Sequence, residues 1–151
     1  MSNEALVFWL YITRMGDTTT ILILAGFVVV GLLLFGYVRH AVAMTLGLTG
    51  VQIVVQLMKM FTAVPRPPHG MIEALGYAFP SGHAATAPMV YAVVSIWLTQ
   101  KTGNRGWVVL GFVLATLIAV SRVVLLVHTP LQVIAGACIG WIGVWLVTKN
   151  I

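Results

Sequence analysis

The stretch "SRVVLLVHTPLQV", from Ser121 to Val133, contains the end of one apolar segment and the beginning of the next. Two ionisable residues, Arg122 and His128, interrupt this run of valine and leucine. Ionisable side chains at membrane depth are energetically unfavourable and usually mark a functional site. Pro130 suits the first turn of a helix, because its missing N–H would have no partner there. The stretch therefore predicts two consecutive membrane helices joined by a functional polar turn.

The composition of the chain is that of an integral membrane protein. Of its 151 residues, 60% are hydrophobic and only 7% are charged, and the mean hydropathy is +1.05. A soluble domain of this length needs more charge to cover its surface. The single cysteine, Cys138, excludes an intrachain disulfide. The basic residues are scattered, which argues against nucleic-acid binding and leaves membrane lipids as expected partners, with the oligomeric state open.

Five apolar segments predict the fold, because each is close to the ~20 residues that a helix needs to cross a bilayer. They are Thr20–Val38, Ala41–Met58, Ala84–Thr99, Trp107–Val127 and Pro130–Val147. The expected fold is all-α, a multi-pass transmembrane helical bundle of about five spans that forms one domain over residues 1–151. Before these spans, residues 1–18 contain a short aromatic-rich stretch and are expected to form an interfacial helix. The alternative is an extension packed on the bundle.

Two features within the spans have both a structural and a functional interpretation. Gly136 and Gly140 have the spacing of a GxxxG dimerisation face, but we favour close packing inside the bundle. Gln52 and Gln56 lie one helical turn apart on the second span. We expect these amides to hydrogen-bond within the bundle, with direct contact to a ligand as the less favoured alternative.

The basic residues also predict the orientation of the bundle. Five spans would place Arg39, His40, Lys101, Arg105 and Lys149 on one face, and Arg14, Lys59, Arg66, Arg122 and His128 on the other. If Lys59, Arg66 and Arg122 serve chemistry, the remaining Lys and Arg residues favour the first face as the cytoplasmic one. The second face would then lie on the extracytoplasmic side of the cell membrane.

Three polar clusters occupy helix ends that alternating topology brings to this second face. They are "KMFTAVPRP" (Lys59–Pro67), "PSGH" (Pro80–His83) and "SRVVLLVH" (Ser121–His128). The first cluster begins a Pro- and Gly-rich segment, residues 59–80, which is expected to form an extracytoplasmic motif loop. The three clusters are therefore expected to build one site.

This site has the composition of an oxyanion-binding site. Lys59, Arg66 and Arg122 are three cations with no nearby group of carboxylates, which predicts a multiply charged ligand such as phosphate. Gly82 would let the backbone approach that ligand closely. Ser81 could cap the following helix, whose N-terminus offers free N–H groups to an anion.

Two histidines, His83 and His128, make the predicted site reactive. A neutral imidazole can attack phosphorus, and a protonated imidazole can donate a proton to the leaving oxygen. The chain has only three acidic residues, Glu4, Asp17 and Glu73, so a carboxylate-bound metal pair is not expected. The cations would stabilise the phosphoryl group instead, and no metal or cofactor is predicted.

The order and spacing of the clusters resemble the signature of the type 2 phosphatidic-acid phosphatase family, the lipid phosphate phosphatases related to vanadium haloperoxidases. That signature is Lys, six residues, Arg-Pro; then Pro-Ser-Gly-His; then Ser-Arg, five residues, His, three residues, Asp. The matching residues here are Lys59 with Arg66-Pro67, Pro80-Ser81-Gly82-His83, and Ser121-Arg122 with His128. The segment "ITRMGD", Ile12–Asp17, resembles one that often precedes the core of the family.

The resemblance implies a role for each of these residues. His128 would be the nucleophile that forms a phosphohistidine, and His83 would be the general acid. The phosphate oxygens would be held by Lys59, Arg66, Ser81, Gly82 and Arg122. The implied reaction is metal-independent hydrolysis of a lipid phosphate or diphosphate, with phosphatidic acid, phosphatidylglycerol phosphate or polyprenyl diphosphate as possible substrates.

One position departs from the signature, because Gln132 stands where the family has aspartate. A neutral amide can still orient the His128 ring through its carbonyl oxygen, although it supplies no charge. Gln132 also fits a capping box with Thr129, and the two roles are compatible. Asp17 lies on the same face and is a weaker candidate for a substitute carboxylate. The departure leaves a second hypothesis open, a catalytically weak or inactive homologue that binds a lipid phosphate, beside a lipid phosphotransferase.

Overall fold

The computed structural model describes residues 1–149 of the chain, and that range contains helices and connecting segments but no strand. The helices are α1 Asn3–Arg14, α2 Thr18–Leu34, α3 Val38–Thr62, α4 Gly82–Ala87, α5 Val93–Thr102, α6 Gly106–Val124 and α7 Pro130–Thr148. A π-helical turn, Pro88–Ala92, joins α4 to α5 without a break. The predicted all-α class is confirmed.

Within residues 1–149, three helices and one bent helix pair qualify as membrane spans by length and composition, against about five predicted. Among the described residues, α3, α6 and α7 are each long and apolar enough to cross a membrane. The pair α1 and α2, bent by 49°, passes the same criterion when taken together. The continuous helix formed by α4, the π-turn and α5 covers the third predicted segment. The architecture is therefore a multi-pass helical bundle, as expected.

Two predicted boundaries were wrong by several residues. Val38 begins α3 instead of ending the preceding span, because Gly36 has a φ of +80° and terminates α2. Glycine adopts this left-handed conformation at little cost, which is why it commonly ends helices. At its other end α3 continues to Thr62, so Lys59 lies in the last helical turn and not in the motif loop.

The short helix α4 lies at the centre of the bundle, against α3, α6 and α7. Ala84, Ala85 and Ala87 have no exposed surface. The small residues of α7 allow this close approach, because a Cβ at Gly136 would collide with the Ser81 carbonyl oxygen and one at Gly140 with that of Ala85. The favoured interpretation of this glycine pair, packing inside the bundle, is therefore confirmed.

Gly140→Ala is expected to lower the free energy of unfolding by about 2 kcal/mol, because the added methyl group has no space beside a backbone carbonyl. Gly50→Ala is the matched control, since a Cβ at Gly50 meets nothing within 4 Å. That change should be neutral or slightly stabilising. Unfolding by SDS in mixed micelles, followed by circular dichroism, measures both. Equal effects of the two substitutions would contradict the packing described here.

Candidate active site

The turn between α6 and α7 places His128 beside Arg122. The carbonyl oxygen of Arg122 accepts hydrogen bonds from the backbone N–H groups of both Val127 and His128, each at 3.2 Å. The chain reverses through Leu126, which has a left-handed φ of +57°. This conformation costs a non-glycine residue about 1 kcal/mol, so the turn is held by its surroundings. Of the five residues between Arg122 and His128, Val123 and Val124 end α6 and the other three belong to the turn.

The contacts of His128 determine which ring nitrogen carries its proton. The Oε1 atom of Gln132 lies 3.0 Å from His128 Nδ1 and also accepts a hydrogen bond from the Thr129 backbone N–H at 3.0 Å. Because a backbone N–H can only donate, the atom it meets must be the amide oxygen. His128 Nδ1 is therefore the donor, and Nε2 carries the free electron pair.

Gln132 performs both tasks that the sequence left open. Its backbone N–H donates to Thr129 Oγ1 at 3.4 Å, which completes the predicted capping box of α7. The side chain of Gln132 positions the His128 ring through its contact with Nδ1. Its backbone carbonyl also accepts from the Ser81 N–H at 3.0 Å, which ties the second cluster to the third.

Arg66 reaches the other nitrogen of His128. Its Nη1 lies 3.2 Å from His128 Nε2, and because a guanidinium only donates, Nε2 must accept. The rest of the guanidinium is held by backbone carbonyls of the motif loop. Nη2 donates to Leu75 O at 2.8 Å and Nε to Gly76 O at 3.1 Å. Arg66 thus holds the motif loop over His128. Its contact with Nε2 independently supports the tautomer in which Nδ1 carries the proton.

The other two predicted cations approach from different helices. Lys59, in the last turn of α3, donates through Nζ to the Tyr77 carbonyl oxygen. Arg122, in the last turn of α6, is only 4% exposed and donates from Nη1 to Thr13 Oγ1 at 2.6 Å. Its Nε is buried without a hydrogen-bond partner in the described chain. A buried guanidinium N–H without a partner is costly, so this group suits an anionic ligand.

Ser81 and Gly82 begin α4 at the centre of the bundle. Ser81 occupies the N-cap position, but its hydroxyl makes no capping hydrogen bond, so the expected side-chain cap is wrong. Its Oγ is fully buried and has no partner in the described part of the chain. Gly82 lines the cavity described below, and Ser81 directly precedes it in the chain.

His83 makes a contact that the sequence did not predict. Its Nε2 lies 3.0 Å from Asp17 Oδ1, so the carboxylate of "ITRMGD" is paired with His83 and not with His128. Gly16 allows this approach, because a Cβ there would lie 2.8 Å from the His83 ring. The segment is anchored by Tyr91, whose hydroxyl donates to the Met15 carbonyl at 2.8 Å. The feature of the sequence that could have indicated this pairing is the placement of "ITRMGD" on the same side of the membrane as the three polar clusters.

A cavity of about 300 Å³ joins these residues. Six of the predicted site residues line it: Lys59, Arg66, Gly82, His83, Arg122 and His128. Its lining also includes Gln52 and Gln56 of α3 and Thr86 of α4. The cavity therefore presents two imidazoles and three cations to one enclosed space, which suits a tetrahedral oxyanion.

Burial and the neighbouring cations lower the pKa of His128 from 6.5 to about 3, although its hydrogen bond to Gln132 opposes this shift. Burial also lowers the pKa of Arg66. A histidine attacks only when neutral, and with this pKa His128 stays neutral at every pH above about 4.

The His128 ring is therefore expected to show no protonation between pH 8 and pH 5. Nitrogen NMR of the protein labelled at histidine, with His128→Gln to assign the signal, measures this directly. The neutral tautomer should carry its proton on Nδ1 throughout. A midpoint between pH 6 and pH 7 for this ring would contradict the buried, cation-rich environment described above.

The fold and this cavity define a helical membrane protein whose site gathers basic residues and two histidines from separate helix ends. The chain belongs to the PAP2 superfamily, whose family model matches residues 40–151. The resemblance noted in the sequence motifs is thereby confirmed.

Two solved structures have the same fold. One is a transmembrane PAP2-type phosphatidylglycerolphosphate phosphatase from Bacillus subtilis, with a TM-score of 0.91 and 22% identity over 99% of this chain and 77% of that one. The other is LpxE from Aquifex aeolicus, with a TM-score of 0.81 and 24% identity over 99% of this chain and 88% of that one. No curated protein sequence gives a significant match. The fold is that of a transmembrane PAP2 protein.

Proposed function

We propose that this protein is a metal-independent lipid phosphate phosphatase that acts through a phosphohistidine on the extracytoplasmic side of the cell membrane. The observation that carries the proposal is the unprotonated Nε2 of His128, which accepts a hydrogen bond from Arg66 in a cavity shared with Lys59 and Arg122. A neutral nucleophile surrounded by fixed cations suits attack on a phosphoryl group.

The proposed reaction has two steps. His128 Nε2 attacks phosphorus, the bond from phosphorus to the lipid oxygen breaks, and His83 donates a proton to that oxygen. Water then attacks phosphorus of the phosphohistidine, His83 takes the proton of that water, the bond from phosphorus to His128 Nε2 breaks, and inorganic phosphate leaves. Lys59, Arg66, Gly82 and Arg122 would hold the phosphate oxygens, while Gln132 orients the nucleophilic ring.

Ser81 is proposed to contribute its hydroxyl to the same phosphate. Ser81 Oγ and Arg122 Nε are two of the three side-chain atoms that are buried without a partner in the described residues. Both belong to the set predicted to bind phosphate, and burial of a polar group without a partner is unfavourable. A phosphate oxygen would satisfy these groups.

The lipid nature of the substrate follows from the position of the cavity. Lys59 lies at the end of α3, a helix long enough to cross the membrane, which supports a phosphate site at the level of lipid headgroups. Residues 1–149 would form one membrane-embedded domain, with α1 near the interface and residues 63–80 as the motif loop.

The proposal is tested by phosphate release from phosphatidic acid in detergent micelles, with and without EDTA. We expect release to continue in the presence of EDTA and to be inhibited by vanadate, which mimics pentacoordinate phosphorus. Loss of all activity on chelation would overturn the metal-independent mechanism.

The second candidate is a homologue that binds a lipid phosphate without turnover, and Gln132 is the observation that favours it. Gln132→Asp is expected to raise kcat by about 10-fold or more, because a carboxylate would stabilise positive charge on the phosphorylated ring. For scale, replacement of the comparable aspartate by asparagine lowers kcat by about 10⁴ in serine proteases.

Gln132→Glu is the matched control for this prediction. Glu adds the same negative charge as Asp, but its side chain is longer than that of Asp. Comparison of the two variants therefore separates the effect of charge from the effect of geometry at the His128 Nδ1 contact. Initial rates of phosphate release with saturating phosphatidic acid measure both variants. If neither the native chain nor Gln132→Asp releases phosphate while both bind the lipid, the non-catalytic function is the correct one.

A further inference from the structure

Two amide side chains of α3 extend the polar lining of the cavity away from the phosphate site. Gln52 and Gln56 line the same space as Lys59, His83 and His128. Gln52 is half-buried and Gln56 is exposed. Neither amide has a hydrogen-bond partner within residues 1–149, so the expected hydrogen bonds inside the bundle are wrong. The alternative interpretation, contact with a ligand, is the one that the geometry supports.

The position of these amides relative to the phosphate site can be read along α3. With a rise of about 1.5 Å per residue, Gln56 lies about 4.5 Å and Gln52 about 10 Å deeper in the membrane than Lys59. Polar groups at this depth without a protein partner are unfavourable and usually face a polar pathway or ligand. A lipid whose phosphate contacts Lys59 and whose glycerol backbone extends along α3 within this cavity would pass beside both amides.

We propose that Gln52 and Gln56 bind the ester carbonyl groups of a glycerophospholipid, which makes them determinants of substrate class. This inference rests on the proposed function, because it assumes that a lipid phosphate occupies the His128 site. In a diacylglycerol phosphate the ester carbonyls follow the phosphate within a few bonds. The amide N–H groups donate to these acceptors, whereas the hydrocarbon of a polyprenyl diphosphate offers none at that depth.

The residues that line the cavity beside the two amides are compatible with a glycerophospholipid. Val55 and Met60 are apolar lining residues on α3, and Thr86 lies across the cavity on α4. Thr86 already donates its hydroxyl proton to the Gly82 carbonyl at 3.0 Å, so it is not a free donor. The two glutamines are the amide donors that α3 presents to a substrate in this cavity.

The decisive experiment compares two substrates that differ only in the carbonyl groups. These are a diester phosphatidic acid and its diether analogue with the same chains, presented in identical detergent micelles to the purified protein. We expect kcat/KM to be at least about tenfold higher for the diester, since each hydrogen bond contributes to binding. The double variant Gln52→Met with Gln56→Met keeps side-chain length but should lose this preference, with less than about twofold change on the diether.

Thr49→Val is the control, because Thr49 is an exposed polar residue of α3 that does not line the cavity. It should retain the preference for the diester. Equal kcat/KM values for the two lipids in the native chain, or an unchanged preference in the double variant, would overturn the inference while leaving the phosphatase function intact.

A measurement of lipid affinity distinguishes failure of this inference from failure of the proposed function. The affinities of both lipids for His128→Ala, with and without the two methionines, are measured by isothermal titration calorimetry. If neither lipid is hydrolysed by the native chain but the diester binds tighter in a glutamine-dependent way, the phosphatase proposal fails and the inference stands. Equal binding of the two lipids overturns the inference.

Discussion

His128→Ala is expected to lower kcat for phosphate release from phosphatidic acid by at least about 10⁴, a scale set by removal of nucleophiles in other enzymes. The structure gives the physical reason, because His128 Nε2 is the nitrogen with a free electron pair at the site of the three cations. The remaining site can still bind the lipid phosphate, so its affinity should change far less than kcat.

A covalent intermediate makes this prediction specific. A rapid base quench of the protein with radiolabelled phosphatidic acid should trap a phosphoryl group on His128 that is stable in base and released by acid. His69→Ala is the matched control, because His69 is exposed on the motif loop and does not line the cavity. Full label in His128→Ala, or a label that maps to another residue, would disprove the assignment of the nucleophile.

His83→Ala is expected to lower kcat by about 10²–10⁴ on a lipid phosphate, because an alkoxide leaving group needs a proton. The same variant should lose much less in the burst of para-nitrophenol from para-nitrophenyl phosphate, whose leaving group departs without protonation, because this burst precedes the hydrolysis step that also uses His83. Asp17→Asn should show the same dependence on the leaving group, with a smaller loss. We propose Asp17 as a positioning residue, since its carboxylate lies 3.0 Å from His83 Nε2 and can orient the ring.

The ratio of rates on the two substrates distinguishes this role from a structural one. A variant that only disturbs the fold would lose activity equally on both, whereas loss of the general acid affects the alkyl substrate selectively. Glu73→Gln serves as the control, because Glu73 is an exposed carboxylate on the motif loop. Equal losses of Asp17→Asn on both substrates would contradict the proposed action through His83.

Sequence alone predicted the helical architecture and the family. Apolar segments of bilayer length indicate spanning helices because a lipid-embedded helix satisfies its own backbone hydrogen bonds, independently of its neighbours. The three motifs have fixed spacing because each follows local geometry, as in the turn from Arg122 to His128. The capping box of Gln132 was likewise readable from adjacent residues.

The tertiary structure alone decided which distant side chains meet. Asp17 pairs with His83 across 66 positions, and Arg66 reaches His128 across 62, because the bend after α1 and the fold of the motif loop bring these groups together. The same packing leaves Gln52 and Gln56 facing the cavity instead of a helix neighbour. Such contacts depend on how helices approach each other, and this depends on small residues such as Gly136 and Gly140 that hydropathy does not distinguish from any other apolar position.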